Sequence, residues 1–245
     1  MFDIHSHIIY GVDDGARTLE EAAELVAMDM AEGAEAIIAT PHYYLNQPTD
    51  PEMIRERLEE LRRYLRETGK GSFPDGEQIR LYEGNEVLWF ESMTEKLQSG
   101  EILTLGGTRF TLIEFYPEES YSTILRAVRK VRAAGYRPVI AHAERFRGLR
   151  ENGLEEVTRL GAYIQLSTQP FGGGIFDSTA RFVKNAAKDG NVHFLGTDMH
   201  RTDRRRPECR KAADWLWKQI PGTGAARILG GNAERMLEDI DFLYQ

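Results

Sequence analysis

The stretch FDIHSHIIYGVDDGARTLEEAAELVAMDMAEG, residues 2–33, decides the fold. It opens with a short apolar run, residues 2–5, that predicts a β-strand. The order Thr18-Leu19-Glu20-Glu21 that follows is a capping-box signal for the start of a helix, and Gly33 ends that helix. One strand followed by one helix is the repeating unit of parallel sheets and barrels.

The same unit recurs to the end of the chain. Apolar runs predict seven strands, at residues 2–5, 36–40, 79–86, 109–115, 137–142, 162–167 and 192–197. Amphipathic stretches predict helices from residue 19 and from residue 51, and over 89–99, 121–134, 153–160, 177–189, 207–219 and 224–243, the last one split near Gly230. Seven such units close more naturally into a barrel than into an open sheet. The sequence therefore predicts an α/β fold, a distorted TIM-like (βα)7 barrel, in a single domain over residues 1–245.

Composition excludes several classes of protein. The 245 residues carry 31 Lys and Arg against 39 Asp and Glu, a net charge of −8, and one Cys. A single Cys forms no internal disulfide and no thiolate zinc cluster. An acidic balance is a poor match for the phosphate backbone of nucleic acid, so nucleic acid is not expected as a partner. Without a signal-peptide pattern or an apolar run of about 18 residues, the sequence predicts a cytoplasmic protein with no membrane insertion.

Side chains of the types that bind metals recur at the predicted strand ends. His5 and His7 alternate along the first strand, so their side chains point to the same side. Because the C-terminal ends of barrel strands meet, the repeated pattern predicts a multinuclear metal centre there. The predicted ligands are His5, His7, Asp14, His42, Glu86, Glu114, His142, Asp198 and His200. Nitrogen and oxygen ligands without thiolate suit Mn, Fe or Zn, and the carboxylates favour Mn.

Three residues near these positions need separate treatment. Asp13 is an alternative to Asp14 as the ligand from the Asp-Asp-Gly loop. Asp3 is expected to orient a ligand by hydrogen bonding to the far ring nitrogen of a histidine. His193 is expected to be a strand-start or surface residue outside the centre.

Arginines beside the predicted ligands narrow the chemistry. Arg145 and the run Arg204-Arg205-Arg206 lie on loops that follow predicted strands. A solvated basic loop is one interpretation, and guanidinium binding of an anionic substrate is the other. Metals with arginines favour phosphate ester hydrolysis, in which metal-activated hydroxide attacks and Arg stabilises the phosphate oxygens. Cys209 lacks the Arg partner of thiolate phosphatases, and the chain has no Gly-x-Ser-x-Gly motif.

Six motifs span essentially the whole chain. They are Asp3-Ile4-His5-Ser6-His7-Ile8 with Gly11-Val12-Asp13-Asp14-Gly15, Ala39-Thr40-Pro41-His42-Tyr43, Gly84-Asn85-Glu86, Leu112-Ile113-Glu114-Phe115, His142-Ala143-Glu144-Arg145-Phe146, and Thr197-Asp198-Met199-His200. In these motifs the sequence resembles the PHP (polymerase and histidinol phosphatase) family. Within it, the sequence is most similar to the bacterial capsule and exopolysaccharide tyrosine-protein phosphatases.

The resemblance implies the PHP fold, up to three divalent ions, usually manganese, and hydrolysis of phosphotyrosine on a bacterial tyrosine autokinase. By position, the resemblance assigns His5, His7, Glu86 and Asp198 to one ion, Glu86, Glu114 and His142 to a second, and Asp14, His42 and His200 to a third. Arg145 and Arg205 match the phosphate-binding arginines, and Arg206, which precedes Pro207, is the alternative to Arg205. Where the family often has His-Pro-Glu-Arg, this chain has His142-Ala143-Glu144-Arg145, which keeps the ligand and the arginine in register.

Two other functions compete with a tyrosine phosphatase. The same fold would serve a small-molecule phosphatase, such as one for histidinol phosphate, or a nuclease. A barrel without turnover that binds and regulates a kinase is the third hypothesis, although a binding surface has no physical use for nine converging ligands. Some aromatic residues fit ordinary loop packing better than a site for a phenol ring, namely Tyr43, Tyr44, Tyr116 and Phe171.

Overall fold

A computed structural model of the chain describes residues 1–243, so the last two residues of the predicted domain 1–245 lie outside the described residues. The strands are β1 (Phe2–Ser6), β2 (Ala36–Ala39), β3 (His42–Tyr43), β4 (Arg80–Glu83), β5 (Glu86–Leu88), β6 (Phe110–Glu114), β7 (Arg137–Ile140), β8 (Tyr163–Ser167) and β9 (Phe194–Gly196). The helices are α1 (Leu19–Glu32), α2 (Pro51–Thr68), α3 (Met93–Ser99), α4 (Tyr121–Ala133), α5 (Arg147–Asn152), α6 (Glu155–Arg159), α7 (Ser178–Lys188), α8 (Arg210–Gln219), α9 (Gly224–Ala226) and α10 (Asn232–Leu237). The predicted α/β fold is confirmed.

The strands pair in parallel in two sheets, with the orders β1-β2-β4 and β3-β5-β6-β7-β8-β9. The short strand β3, which was not predicted, follows β2 after only two residues. The predicted strand 79–86 is broken, so that β5 follows β4 after two residues. The other edges meet where Ser6, at the end of β1, bridges to Met199, just beyond β9. The seven predicted strand positions therefore lie around one curled, interrupted ring of strands, which is the distortion of the barrel.

Asn85 stabilises the break between β4 and β5. Its side-chain amide donates to the carbonyl of Pro41 at 3.0 Å, and its side-chain oxygen accepts the backbone N–H of Leu103 at 2.9 Å. The side chain is fully buried, so both hydrogen bonds replace ladder bonds that the break removes. The break places Glu86 at the first residue of β5, where it is the register partner of His42 on β3.

The helices follow the predictions closely, with two differences. Helix α5 was not expected, because its six residues are mostly polar and show no amphipathic repeat. The predicted helix 224–243 is broken by a π-helical turn at Arg227–Gly231 and ends at Leu237. Glycines at 230 and 231 lack the side chains that hold a regular helix, and Asp239 then takes a positive φ of 56°.

Apolar packing makes the frame rigid below the strand ends. The first residues of three strands, Phe110, Tyr163 and Phe194, form an aromatic cluster with Phe242, which follows α10, and all four are at most 8% exposed. Helix starts are fixed by side-chain caps, since Thr18 accepts the N–H of Glu21 at 3.2 Å and Asp50 that of Glu52 at 3.0 Å. Within residues 1–243, none of the helices combines the length and apolarity needed to cross a membrane.

Candidate metal centre

The nine predicted ligands all lie at the C-terminal end of the ring of strands. Their nitrogen and oxygen atoms fall into overlapping groups in which the ligand atoms lie within 4.8 Å of one another. The groups are His5, His7, Glu86 and Asp198, then His42, Glu86 and Glu114, and finally His7, Asp14, His42 and His200. His142 adjoins the second group rather than belonging to it.

The first group is the most deeply buried. The Nε2 atoms of His5 and His7 lie 3.1 and 3.3 Å from Glu86 Oε2, and 3.5 and 3.4 Å from Asp198 Oδ1. All four residues are at most 1% exposed. Two imidazole nitrogens and two carboxylate oxygens thus surround one small volume, and these four residues are the set that the resemblance assigns to one ion.

The second group shares Glu86 with the first. His42 Nδ1 lies 3.1 Å from Glu86 Oε2 and 3.2 Å from Glu114 Oε1. His142 Nε2 lies 2.7 Å from Glu86 Oε1 and 3.9 Å from Glu114 Oε2. Glu86 therefore contacts both groups, with Oε2 near His5, His7 and His42 and Oε1 near His142, as a bridging carboxylate would.

The third group distinguishes Asp14 from Asp13. Asp14 Oδ1 lies 3.3 Å from His200 Nε2 and 3.6 Å from His42 Nε2. Asp13 instead accepts hydrogen bonds from His7 Nδ1 at 2.8 Å, from the N–H of His42 at 3.0 Å and from the N–H of Gly15 at 2.9 Å. Asp13 orients two histidines, and Asp14 is the carboxylate that remains available to an ion.

Unpaired buried atoms test whether these residues fit a cation. Among the described residues, His42 Nδ1, Glu86 Oε2, Glu114 Oε1 and Asp198 Oδ1 are buried without a hydrogen-bond partner. Each buried polar atom left without a partner costs about 1–3 kcal/mol. All four atoms point into the groups described above, and a divalent cation is the partner that would satisfy them together. The donor set of imidazole and carboxylate fits Mn, Fe or Zn.

Hydrogen bonds to the far ring nitrogens aim the histidines inward. The Nδ1 atom of His5 lies 3.1 Å from Gln165 Oε1, that of His7 bonds Asp13, and that of His200 lies 2.9 Å from the backbone carbonyl of Asp198. Because these partners only accept, each Nδ1 carries the proton and each Nε2 keeps its lone pair for an ion.

Gln165 is a functional residue that the sequence analysis missed. Its buried Oε1 accepts from His5 Nδ1 and also from the backbone N–H of His142 at 2.7 Å. Gly196 is required beside it, because a Cβ there would lie 2.5 Å from His5 Cβ and 2.9 Å from Gln165 Nε2. The sequence did contain a signal for Gln165, because it is an amide side chain within an otherwise apolar predicted strand, residues 162–166.

The expectation for Asp3 is wrong in its detail. Asp3 does not contact a histidine ring; its carboxylate accepts the backbone N–H groups of His5 and Thr197 at 3.1 and 2.9 Å, and the Thr197 hydroxyl at 2.5 Å. The Thr197 hydroxyl in turn accepts the N–H of Met199 at 3.2 Å. Asp3 therefore holds the loop that carries Asp198, and Gln165 has the role that Asp3 was expected to have.

The electrostatics of the site favour ionised carboxylates. Burial acts to raise the pKa of Glu86 and of Asp198, but the nearby histidines, with Arg145 beside Asp198, hold both values well below the usual range. The hydrogen bond with His200 lowers the pKa of Asp14. Burial acts to lower the pKa of His5, yet the carboxylates outweigh it and raise that pKa. The carboxylates thus carry the negative charge that a cation requires.

The arginines occupy different places. Both Arg145 and Arg205 contact Asp198 Oδ2, and Arg205 Nη1 lies 2.9 Å from His200 Nε2. Arg206 contacts none of the predicted ligands and is exposed, so the structure does not bring it to the centre.

His142, Asp198 and Arg205 all have positive φ, at 29°, 54° and 50°. Such strained backbone clusters at functional sites because the surrounding contacts impose it.

Of the four aromatic residues expected to pack as ordinary loop residues, Tyr43 and Phe171 are buried, whereas Tyr44 contacts the predicted ligand His42 and Tyr116 is exposed. Tyr43 is 1% exposed in the core, and Phe171 packs on Trp215 with ring centroids 5.4 Å apart. Tyr44 stacks on His42 at 5.0 Å, and Tyr116 is 63% exposed.

Cys209 and His193 lie outside the centre. The thiol of Cys209 donates to Asp29 at 3.0 Å, and burial raises its pKa well above the usual range, which is the opposite of an activated thiolate. His193 directly precedes β9, which confirms it as a strand-start residue.

Comparison with known proteins identifies relatives along almost the full chain. A family model described as "Capsular polysaccharide synthesis, CpsB/CapC" matches residues 1–238. Tyrosine-protein phosphatase CpsB of Streptococcus agalactiae serotype III (strain NEM316) is 31% identical, covering 98% of this chain and 99% of that protein. Tyrosine-protein phosphatase YwqE of Bacillus subtilis (strain 168) is 29% identical, covering 98% of this chain and 92% of that protein.

Solved structures agree with this relationship. A chain from the crystal structures of YwqE from Bacillus subtilis and CpsB from Streptococcus pneumoniae, called unique metal-dependent tyrosine phosphatases, superposes with a TM-score of 0.87 and 26% identity, covering 98% of this chain and 95% of that one. The phosphotriesterase homology protein of Escherichia coli has a TM-score of 0.55 and 14% identity over 96% of this chain and 97% of that one. That second likeness concerns the barrel-type fold alone.

Proposed function

The chain belongs to the CpsB/CapC family, and from this premise we propose that it is a metal-dependent protein tyrosine phosphatase. One observation carries the proposal most directly. Buried imidazole and carboxylate atoms without hydrogen-bond partners converge on one volume, and two guanidinium groups lie at its edge against Asp198. Cation-binding atoms beside guanidinium groups are the parts that phosphate ester hydrolysis needs.

We infer the ligand sets from these groups. The first ion would be held by His5, His7, Glu86 and Asp198, the second by Glu86, Glu114 and His142, and the third by Asp14, His42 and His200. His42 lies close enough to Glu86 and Glu114 to take part in the second set as well. Bound divalent ions would supply Lewis-acid charge and activate water near neutral pH. Manganese is the proposed metal, with iron or zinc as alternatives, because carboxylates are a large part of the donor set.

The two arginines bind and orient the phosphate in this proposal. Both side chains are about 40% exposed while their shared partner, Asp198, is 1% exposed, so the guanidinium groups lie at the boundary between the centre and solvent. An incoming phosphate offers oxygens that match the planar forks of Arg145 and Arg205. The same groups then stabilise the negative charge that develops on the equatorial oxygens.

The substrate is proposed to be phosphotyrosine on a bacterial tyrosine autokinase that controls capsule or exopolysaccharide synthesis. The family description, which concerns capsular polysaccharide synthesis, and the tyrosine phosphatase names of the relatives support this. A cytoplasmic location and one domain over the whole chain complete the proposal.

Phosphate release from three substrates tests the function. Protein reconstituted with Mn²⁺ is incubated with a phosphotyrosine peptide, with histidinol phosphate and with an oligonucleotide. We expect the phosphotyrosine peptide to have the highest kcat/KM. A clear preference for histidinol phosphate or the oligonucleotide would overturn the proposal in favour of a small-molecule phosphatase or a nuclease. Turnover of none of them would leave a kinase-binding module as the better account.

A further inference from the structure

Two arginines next to the centre have no role in the proposed function. Arg204 and Arg206 flank Arg205 in sequence, and both side chains are exposed. Among residues 1–243, neither forms an ion pair or a side-chain hydrogen bond. This distinguishes them from Arg201 on the same loop, whose guanidinium lies 2.6 Å from Glu21.

The local backbone explains why the side chains of the three consecutive arginines have different contacts. The N–H of His200 donates to the carbonyl of Arg205 at 3.0 Å, which closes the loop. Arg205 has a positive φ of 50°, and its side chain reaches Asp198 and His200. The side chains on either side of it instead line an adjoining cavity of about 360 Å³.

That cavity is continuous with the phosphate site. Arg145 and Arg205, which contact Asp198, line it together with Arg204 and Arg206. The two acidic residues in its wall are Asp203 and Glu208, and the nearest cation to Glu208 is Lys211, at 3.8 Å. The lining of this cavity therefore contains four arginines and two acidic residues. This is a local excess of positive charge on a protein whose net charge is −8.

Concentrated positive charge of this kind favours an anion. Like charges held on one loop repel each other, and the repulsion is relieved when an anionic group binds between them. The cavity adjoins the proposed phosphate site, so residues next to the phosphotyrosine in a bound peptide would enter it. The anion would therefore be a side chain of the same peptide. Adjacent residues of an extended peptide advance by about 3.3–3.6 Å, so the group would lie within a few residues of the phosphotyrosine.

We propose that Arg204 and Arg206 form a second anion subsite, which binds an acidic side chain flanking the substrate phosphotyrosine. The inference rests on the proposed function and adds a substrate class to it, namely phosphotyrosine segments with Asp, Glu or a second phosphorylated residue nearby. The subsite contributes to binding of the peptide and makes no contact with the predicted metal ligands.

The test compares matched peptides with a small substrate. Two phosphotyrosine peptides are used, one with Asp and Glu beside the phosphotyrosine and one with Asn and Gln at those positions, together with para-nitrophenyl phosphate, which has no flanking residues. The variant is Arg204→Gln with Arg206→Gln. In the unmodified protein we expect the acidic peptide to have a kcat/KM about fivefold higher, chiefly through KM, since two exposed charge pairs contribute about 1 kcal/mol together.

In the double variant, the preference for the acidic peptide should fall to within about twofold of unity, with turnover of para-nitrophenyl phosphate unchanged. A control variant, Arg66→Gln with Arg129→Gln, removes the same charge from exposed sites on α2 and α4 and should keep the preference. An equal preference in all three proteins, or none in the unmodified protein, overturns the subsite.

The same experiment separates the subsite from the proposed function. If para-nitrophenyl phosphate and both peptides are not hydrolysed by the unmodified protein with Mn²⁺, the proposed function fails. If all are hydrolysed without dependence on flanking charge, only the subsite fails. A matching loss of preference in the control variant would assign the effect to net charge and likewise reject the subsite.

Discussion

The two ends of the strand ring use histidine in opposite ways. At the C-terminal end, His5 and His7 lie among ionised carboxylates, which raise the pKa of both against the effect of burial. At the N-terminal end, His193 packs against Tyr163 with ring centroids 5.3 Å apart, and burial lowers its pKa to about 4. No carboxylate contributes to the shift of His193.

The difference shows that the partners, more than burial, determine what a buried histidine does. His193 Nδ1 accepts the backbone N–H of Ile164 at 3.0 Å, so the neutral ring completes the sheet beside an aromatic cluster. At the other end, the Nδ1 atoms donate and the Nε2 atoms face carboxylates. The Nδ1 atom of His193 is satisfied by the protein alone, whereas the other end includes buried ligand-type atoms without a hydrogen-bond partner, which a cation would satisfy.

Removing Asp198 should have the largest effect. Asp198→Ala deletes a predicted ligand and the partner of both Arg145 and Arg205, so we expect kcat/KM to fall on the order of a thousandfold, because a metal site supplies several kcal/mol of transition-state stabilisation. Bound metal should decrease while the circular dichroism spectrum stays the same. His193→Asn, at the other end, is the control and should keep full turnover. Undiminished turnover in Asp198→Ala would show that this end is not the reaction site.

Truncating Arg145 should have the next largest effect. Arg145→Ala removes one guanidinium from the edge of the centre, and we expect kcat/KM to fall about a hundredfold with metal content unchanged. Arg147→Ala is the matched control, because Arg147 is an exposed arginine two residues away whose partners are Glu118 and Glu151. Arg147→Ala should keep full activity, and an unchanged kcat/KM in Arg145→Ala would make Arg145 an ordinary surface charge.

Gln165 tests whether orientation of the histidines matters. Gln165→Leu keeps the volume but removes the oxygen that accepts from His5 and from the N–H of His142. We expect metal affinity to fall about 10–100-fold, the range found when a partner of a metal-binding histidine is lost. Competition with a chelator measures this affinity without reference to turnover. Unchanged affinity would reduce Gln165 to a core packing residue.

His193 should affect stability and its pH dependence, with little effect on activity. Its folded pKa of about 4 lies below the ordinary value of 6.5, so the unfolded chain binds the proton more readily between these values. Its contribution to stability is therefore complete above pH 6.5 and is lost as the pH falls toward 4. In His193→Asn the side-chain oxygen keeps an acceptor for the N–H of Ile164. Between pH 6.5 and pH 4 the free energy of unfolding of this variant should fall by about 3 kcal/mol less than that of the unmodified protein. Parallel stability curves would contradict this.

The sequence predicted the frame and the ligand types because both follow simple periodicities. His5 and His7 share a face through strand alternation, and His142 and Asp198 follow the ends of β7 and β9. The division of the ring into two sheets was not predictable, because it depends on the long-range hydrogen bonds of Asn85 to Pro41 and Leu103.

The sequence also could not decide which of two neighbouring residues of the same type belongs to the site, and the three-dimensional contacts were needed for that. Asp13 and Asp14 have the same side chain, and only the contacts of Asp13 with His7 and His42 separate their roles. Arg205 reaches Asp198 through a positive φ that no sequence pattern indicated. Gln165 was missed because an amide is rarely a metal ligand, and its function is to hold the histidines rather than the ion.

The central claim is that the C-terminal end is a metal centre that hydrolyses phosphotyrosine. The direct measurement is the rate of phosphate release from a phosphotyrosine peptide against the number of Mn²⁺ ions bound per chain, starting from chelator-treated protein. We predict no turnover in the metal-free protein and a rate that rises with occupancy to a maximum near three ions per chain. Full activity without bound metal, saturation below two ions, or no phosphate release at full occupancy would contradict the claim.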